Sequence, residues 1–191
     1  MKKTMWLLAL TTVILTFFSV GLANAQAEKK ATPKTPTKEE KIKRAMMAGP
    51  ASISAQATIM DWDMSVLRKG TNGWTCLPDR EGNDPWCVNE PWLGFLNAYV
   101  KKESPTITQT GIAYMLLGDS AASNTDPYAT KATPDNQWVS HTGPHLMLLV
   151  PKEALSGLTT DPSKGEPYVM WANTPYAHIM VPLDDKGHKG H

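Results

Sequence analysis

Two short segments of the chain repeat one pattern of ligand-type side chains. His145-x-Met147 and His178-x-Met180 each place a histidine two residues before a methionine, and each is followed by a Val-Pro pair. In a β-strand, residues i and i+2 share a face, so each histidine lies beside its methionine. If the two strands pair, two imidazoles and two thioethers meet, and these donors favour copper, above all Cu(I). The pattern predicts a copper or transition-metal site at His145, Met147, His178 and Met180, with core packing as the alternative.

A second pattern indicates hydrolytic chemistry. The apolar segment GIAYMLL runs into Gly118-Asp119-Ser120, and Asp185-x-x-His188 lies near the C-terminus. This combination resembles the SGNH/GDSL esterases, in which the serine is the nucleophile and the histidine, oriented by the aspartate, is its base. The remaining chain is short for the βα repeats of that family, and it lacks the Gly and Gly-x-Asn-Asp blocks of the oxyanion hole. A serine esterase is therefore the weaker alternative function.

The segment 118–136 is a long polar loop with turn signals. Its carboxylate, amide and hydroxyl oxygens suit Ca²⁺, although turn formation before proline also explains Asn-Thr-Asp-Pro. We expect this loop, the residues just after it and the strand ends around His145 and His178 to form a surface that binds a small ligand or a protein partner. The candidate residues on this surface are Asp119, Asn124, Asp126, Trp138 and His141.

The chain contains two cysteines, Cys76 and Cys87. An even number of cysteines in an exported chain fits a disulfide. Their spacing matches no zinc motif, and there are no further cysteines to complete one. The sequence therefore predicts a Cys76–Cys87 disulfide.

The first 25 residues have the order of a secretory signal peptide. Lys2 and Lys3 precede an apolar run, and Ala23-Asn24-Ala25 supplies a small-x-small cleavage pattern. No later stretch is apolar over 18 residues, so we expect no integral membrane segment after cleavage. The predicted location is periplasmic or extracellular.

The charge of the chain changes with this cleavage. The formal net charge of +1 belongs to all 191 residues, and removal of Lys2 and Lys3 leaves 17 basic and 18 acidic side chains, or −1. Residues 48–191 carry ten basic and fifteen acidic side chains. A mildly acidic body lacks the basic surface that nucleic acids require, so no nucleic-acid partner is predicted.

The distribution of proline, glycine and apolar residues divides the mature chain into three parts. Residues 26–41 form a basic Pro/Lys/Thr linker, residues 42–182 a globular domain, and residues 183–191 a polar tail with histidines. Asn89 caps a predicted helix whose apolar residues recur at helical spacing. The other apolar segments are short and bounded by turn residues. The predicted fold is a single α+β domain with a mostly antiparallel sheet of five or six strands and one or two helices.

Several strings, among them GTNGWTCLPD, GIAYMLLGDSAASNTDPYA and PYVMWANTPYAHIMVP, resemble a family of uncharacterised secreted bacterial proteins. The resemblance covers most of residues 45–182 and implies one exported domain. It implies no activity, cofactor or catalytic residue. The expected function is therefore that of an exported ligand- or partner-binding module, with copper binding and esterase activity as the alternatives.

Overall fold

The computed structural model describes residues 35–80 and 84–183. The predicted signal peptide, most of the predicted linker and nearly all of the predicted tail lie outside these ranges. The helices are α1 (Lys38–Met46), α2 (Ala51–Ser54) and α3 (Glu90–Lys101). The strands are β1 (Thr58–Met60), β2 (Val66–Arg68), β3 (Thr75–Leu77), β4 (Trp86–Val88), β5 (Gly111–Met115), β6 (Ala122–Ser123), β7 (Trp138–Val139), β8 (His145–Leu149), β9 (Tyr168–Met170) and β10 (His178–Pro182). Short 3₁₀ turns span Lys152–Leu155 and Pro162–Lys164.

The main sheet has eight strands in the order β2-β1-β3-β4-β5-β8-β10-β9, and β6 pairs with β7 in a separate ribbon. Strands β1 and β3 are parallel, and every other described pair is antiparallel. The α+β class and the mostly antiparallel sheet are confirmed. The predicted count of five or six strands is wrong, because the sheet has eight, and the described residues form three α-helices where one or two were predicted.

Strand length explains why β4 was not predicted. Strand β4 lies inside the segment 77–88, whose proline, glycine, asparagine and aspartate residues indicate a loop. A strand of three residues is too short to show the two-residue periodicity by which strands are recognised. Pairing with β3 and β5 on either side, rather than local sequence, makes this segment extended.

Helix α1 begins at Lys38, inside the segment predicted as linker. Thr37 caps it, because the Thr37 side chain accepts from the Glu40 backbone N–H and the Glu40 carboxylate accepts from the Thr37 backbone N–H. Lys41 forms an ion pair with Asp61, and Ala45 is fully buried. The folded part of the chain therefore includes residues on the N-terminal side of position 42.

The predicted disulfide between Cys76 and Cys87 is confirmed. The two cysteines are directly opposite each other on β3 and β4. Gly49, between α1 and α2, packs on this bridge so closely that an added Cβ would lie 3.0 Å from the Cβ of Cys87. The disulfide is thus part of the small core beneath α1.

Helix α3 covers the opposite face of the sheet. The Asn89 Oδ1 accepts from the backbone N–H of Trp92 at 3.4 Å and from that of Ile112 at 2.9 Å, so one side chain caps the helix and fixes it to β5. The Trp92 indole N–H donates to the carbonyl of Met147 at 3.0 Å. The helix buries Trp92, Phe95 and Leu96. These contacts hold α3 against β5 and β8.

Candidate functional site

Strands β8 and β10 are antiparallel neighbours, and Met147 lies directly opposite Met180. The metal hypothesis requires this adjacency, because only neighbouring strands bring the two His-x-Met segments together. Both methionines are almost completely buried. Side chains directly opposite one another have their Cβ atoms about 4.5–5.5 Å apart, so the two thioethers share one location.

The two histidines lie at opposite ends of this methionine pair. His145 is directly opposite Met115 on β5, and His178 is directly opposite Met170 on β9. The pairing registers and the alternating burial place all these residues on the α3 face of the sheet. The four predicted ligands therefore lie on one face, but the two imidazoles do not flank the same point.

Met115 and Met170 extend the predicted donor set. Neither has a histidine two residues away in the sequence, and their positions depend on which strands are neighbours and in what register. The abundance of methionine in the apolar segments GIAYMLL and YVMW is the only sequence signal for them. Four thioethers thus line one face of the sheet, where two were predicted.

A cavity of about 140 Å³ lies between α3 and this face. Leu96, Tyr99 and Val100 of α3 form part of its wall. Besides Trp86, the residues of the main sheet that line it are Met115, Met147, Met170, Met180 and His178. All but Trp86 carry a thioether or an imidazole. We call these five residues the methionine–histidine pocket. His145 is buried on the same face, although it is not one of the lining residues.

The ring of His178 is held in one tautomer. Its Nδ1 lies 2.9 Å from the carbonyl oxygen of Tyr176, which can only accept a hydrogen bond. Nδ1 therefore carries the proton, and Nε2 presents its lone pair. Among the described residues no group forms a hydrogen bond with this buried Nε2. Metal-bound histidines commonly donate their other ring N–H to a backbone carbonyl in this way.

Aromatic side chains enclose the His178 ring. Trp92, Phe95 and Trp171 contact it edge to face, with ring centroids 5.4, 6.1 and 5.0 Å from that of the imidazole. Burial lowers the pKa of His178 to about 4, with a smaller contribution from His145. The imidazole is therefore neutral at physiological pH, which is the state that binds a metal ion.

The second histidine repeats the arrangement. The Nδ1 of His145 lies 2.7 Å from the carbonyl oxygen of Gly143, two residues earlier, as the Nδ1 of His178 does from that of Tyr176. The sequence repeat is thus also a structural repeat. Each strand begins with a histidine whose ring is fixed by the turn that precedes it.

Acidic side chains also line the pocket, and because they are half-buried or exposed while the methionines are buried, we call this part of the pocket its mouth. Asp84, Asp119 and Asp126 line it, together with Arg80. The backbone N–H and the hydroxyl of Ser120 both donate to Asp84 at 2.6 Å. Burial, and next the neighbouring charge of Asp84, raise the pKa of Asp119 to about 6. Asp84 was not predicted as a site residue, because it lies far in sequence from the loop that it contacts.

Only some of the residues predicted for the loop surface line the pocket. Asp119 and Asp126 line the pocket, whereas Asn124, Trp138 and His141 are not among its lining residues. Asn124 is buried, and its amide N–H groups donate to the Gln137 side chain and to the Thr160 carbonyl. Trp138 is half-buried in β7 opposite Ser123, and His141 is exposed.

Asp119 and Ser120 of the predicted esterase motif lie at the mouth of the pocket. The Ser120 hydroxyl donates to the carboxylate of Asp84. The proposed base His188 and its partner Asp185 lie outside the described residues. Of the esterase triad, the structure therefore describes the serine alone.

Residues 35–80 and 84–183 contain no group of three or more histidine, cysteine, aspartate or glutamate side chains that could hold a metal ion. A metal site in this part of the chain would thus depend on thioether sulfur. Within the same ranges, no helix has the length and apolar character needed to cross a membrane. Comparison of the chain with protein-family models, with curated proteins and with solved structures finds no match.

Proposed function

We propose that the chain is an exported binding module whose ligand is Cu(I), held in the methionine–histidine pocket. The observation that carries the proposal is the Nε2 of His178, which is buried, unprotonated and without a hydrogen-bond partner among the described residues, in a pocket lined by four methionines. A buried polar atom without a partner costs about 1–3 kcal/mol. A ligand that binds this nitrogen would remove that penalty.

The donor set favours Cu(I) among metal ions. Thioether sulfur is a soft, uncharged ligand, and imidazole is accepted by copper, zinc, iron and nickel. Zinc sites use thiolate, imidazole and carboxylate ligands, and the five residues of the methionine–histidine pocket include only one of these groups, the His178 imidazole. Ca²⁺ and Mg²⁺ require oxygen ligands. Four thioethers and one imidazole therefore select a soft monovalent ion.

The scaffold supports a preorganised site. Met147 and Met180 lie opposite each other on central strands, and the His178 tautomer is fixed by a backbone carbonyl. Sites on strands hold their ligands more precisely than sites on loops. The pocket would therefore bind the ion without a large rearrangement of the backbone.

The cysteine chemistry fits an exported copper protein. Both cysteines of the chain form the disulfide, so thioethers are its remaining soft donors. Thiols are oxidised in exported compartments, whereas thioethers cannot form disulfides. The disulfide, together with the predicted signal peptide, supports a periplasmic or extracellular location.

An anaerobic Cu(I) titration against a coloured Cu(I) chelator tests the proposal. The protein is the full chain carrying His188→Ala and His191→Ala, which removes the tail histidines as adventitious ligands. We expect one equivalent of Cu(I) to be taken from the chelator. Zn²⁺ offered under the same conditions should bind at least about a hundredfold more weakly, because four of the five residues of the methionine–histidine pocket are methionines and thioethers are poor zinc ligands.

Failure to retain stoichiometric Cu(I) would overturn the proposal. The unsubstituted chain is measured in parallel. If only the chain with its tail histidines intact takes up copper, the tail binds the ion and the pocket does not.

A further inference from the structure

We propose that Cu(I) entering the pocket displaces one proton from the Asp84–Asp119 pair at the pocket mouth whenever that pair is protonated. The inference rests on the proposed function and adds to it the regulation of uptake by pH. In this exchange one monovalent cation enters and one proton leaves. The net charge of the pocket and its mouth is therefore unchanged.

The need for this exchange follows from the ligands. Thioethers and a neutral imidazole carry no charge, so Cu(I) bound to them keeps its full positive charge. A buried charge is stable only when an opposite charge compensates it. The anionic side chains that line the described part of the pocket are the carboxylates at its mouth. Arg80 lines the same pocket, but its positive charge cannot compensate that of Cu(I).

The geometry of the mouth brings two of these carboxyl groups together. Asp119 is fixed by a backbone bridge in which its N–H donates to the Thr142 carbonyl at 2.8 Å and its carbonyl accepts from the Thr142 N–H at 3.1 Å. Ser120 draws Asp84 to the same point through two hydrogen bonds. Asp84 is therefore held beside Asp119, and the interaction between the two carboxyl groups raises the pKa of Asp119.

The surroundings of Asp119 stabilise a proton on the pair. Burial is the largest cause of the raised Asp119 pKa of about 6, and the charge of Asp84 is the next. His141, in the segment after β7, acts in the opposite direction. Tyr168 on β9 faces Asp119 as a phenol whose own pKa is raised by burial. The pair therefore holds a proton in the empty pocket below about pH 6.

Two further charged side chains, Asp126 and Arg80, line the same pocket. The Asp126 carboxylate accepts from the backbone N–H of Tyr128 at 2.9 Å. The thioethers do not titrate at all, and His178 has a pKa of about 4. The substitutions Asp119→Asn and Asp84→Asn therefore decide whether a pH dependence of Cu(I) affinity between pH 4.5 and 6 belongs to the carboxyl pair.

The coupling between proton release and Cu(I) binding determines whether the Cu(I) affinity rises or falls with pH. Cu(I) binds best when the pair is ionised, so protons compete with the ion below the Asp119 pKa. One released proton corresponds to a tenfold gain in affinity per pH unit. We expect the Cu(I) affinity to rise about tenfold per pH unit from pH 4.5 to 5.5 and to become constant above pH 6.5.

The experiment is the chelator competition titration of the tail-substituted full chain across pH 4.5–7.5, with the chelator calibrated in a protein-free series. Asp119→Asn should abolish the pH dependence, and Asp84→Asn provides a second variant of the same pair. Asp135→Asn, at an exposed loop position, serves as the matched control and should retain the wild-type profile.

The possible outcomes separate this inference from the proposed function. Tight Cu(I) binding whose affinity does not change between pH 4.5 and 6.5 overturns the proton exchange but supports the proposed copper site. An unchanged slope in both Asp119→Asn and Asp84→Asn also overturns it. No Cu(I) binding at any pH overturns both proposals together.

Discussion

Replacing Met147 and Met180 together with leucine is expected to weaken Cu(I) binding by about a hundredfold. The two thioethers lie opposite each other at the centre of the donor set. Loss of a metal ligand that contributes about 1.4 kcal/mol to the binding free energy lowers the Cu(I) affinity tenfold. Loss of two such ligands therefore gives a factor of about a hundred. Chelator competition at neutral pH measures the change.

The same double substitution should hardly affect the empty protein. Leucine and methionine have similar volumes, so each exchange is expected to change the free energy of unfolding by less than about 1.5 kcal/mol. Urea unfolding of the metal-free protein measures this quantity. Met47→Leu is the matched control, because Met47 is 46% exposed and lies outside the pocket. Wild-type Cu(I) affinity in the double variant would show that these methionines only fill the core.

Removing the disulfide with Cys76→Ala and Cys87→Ala is expected to lower the free energy of unfolding by about 3 kcal/mol. The bridge closes a short loop, with a sequence separation of 11, and the chain-entropy model gives a stabilisation of this size. Urea unfolding of the oxidised wild-type chain and of the variant measures the difference.

A second cause acts in the same direction, because both cysteines are fully buried beneath α1 and their sulfur atoms fill space against Gly49. Wild-type protein unfolded in the presence of a reductant is the control and should approach the variant. A difference below about 1 kcal/mol would show that the bridge contributes little to stability.

The two His-x-Met segments of the site could be predicted from the sequence, because the spacing that identifies them spans only three residues. A histidine two residues before a methionine lies on the same face of any strand, and two copies of this pattern indicate a pair of related strands. The register that places Met147 opposite Met180 could not be predicted in the same way. It depends on the turns and on the burial of one face along the whole sheet.

The residues that complete the site have no local signal. Met115 and Met170 enter it because β5 and β9 flank the two predicted strands. Asp84 reaches Ser120 across 36 positions of the chain, so no sequence spacing indicates the contact. The missed strand β4 has the same cause, since its extended conformation is determined by neighbours on both sides.

Copper K-edge X-ray absorption of the Cu(I)-loaded full chain, with His188→Ala and His191→Ala, tests the central claim most directly. The methionine–histidine pocket predicts a first coordination shell with at least two sulfur atoms and one imidazole nitrogen. The sulfur contribution should fall in the Met147→Leu, Met180→Leu variant. A shell made only of nitrogen and oxygen atoms would contradict the proposed site.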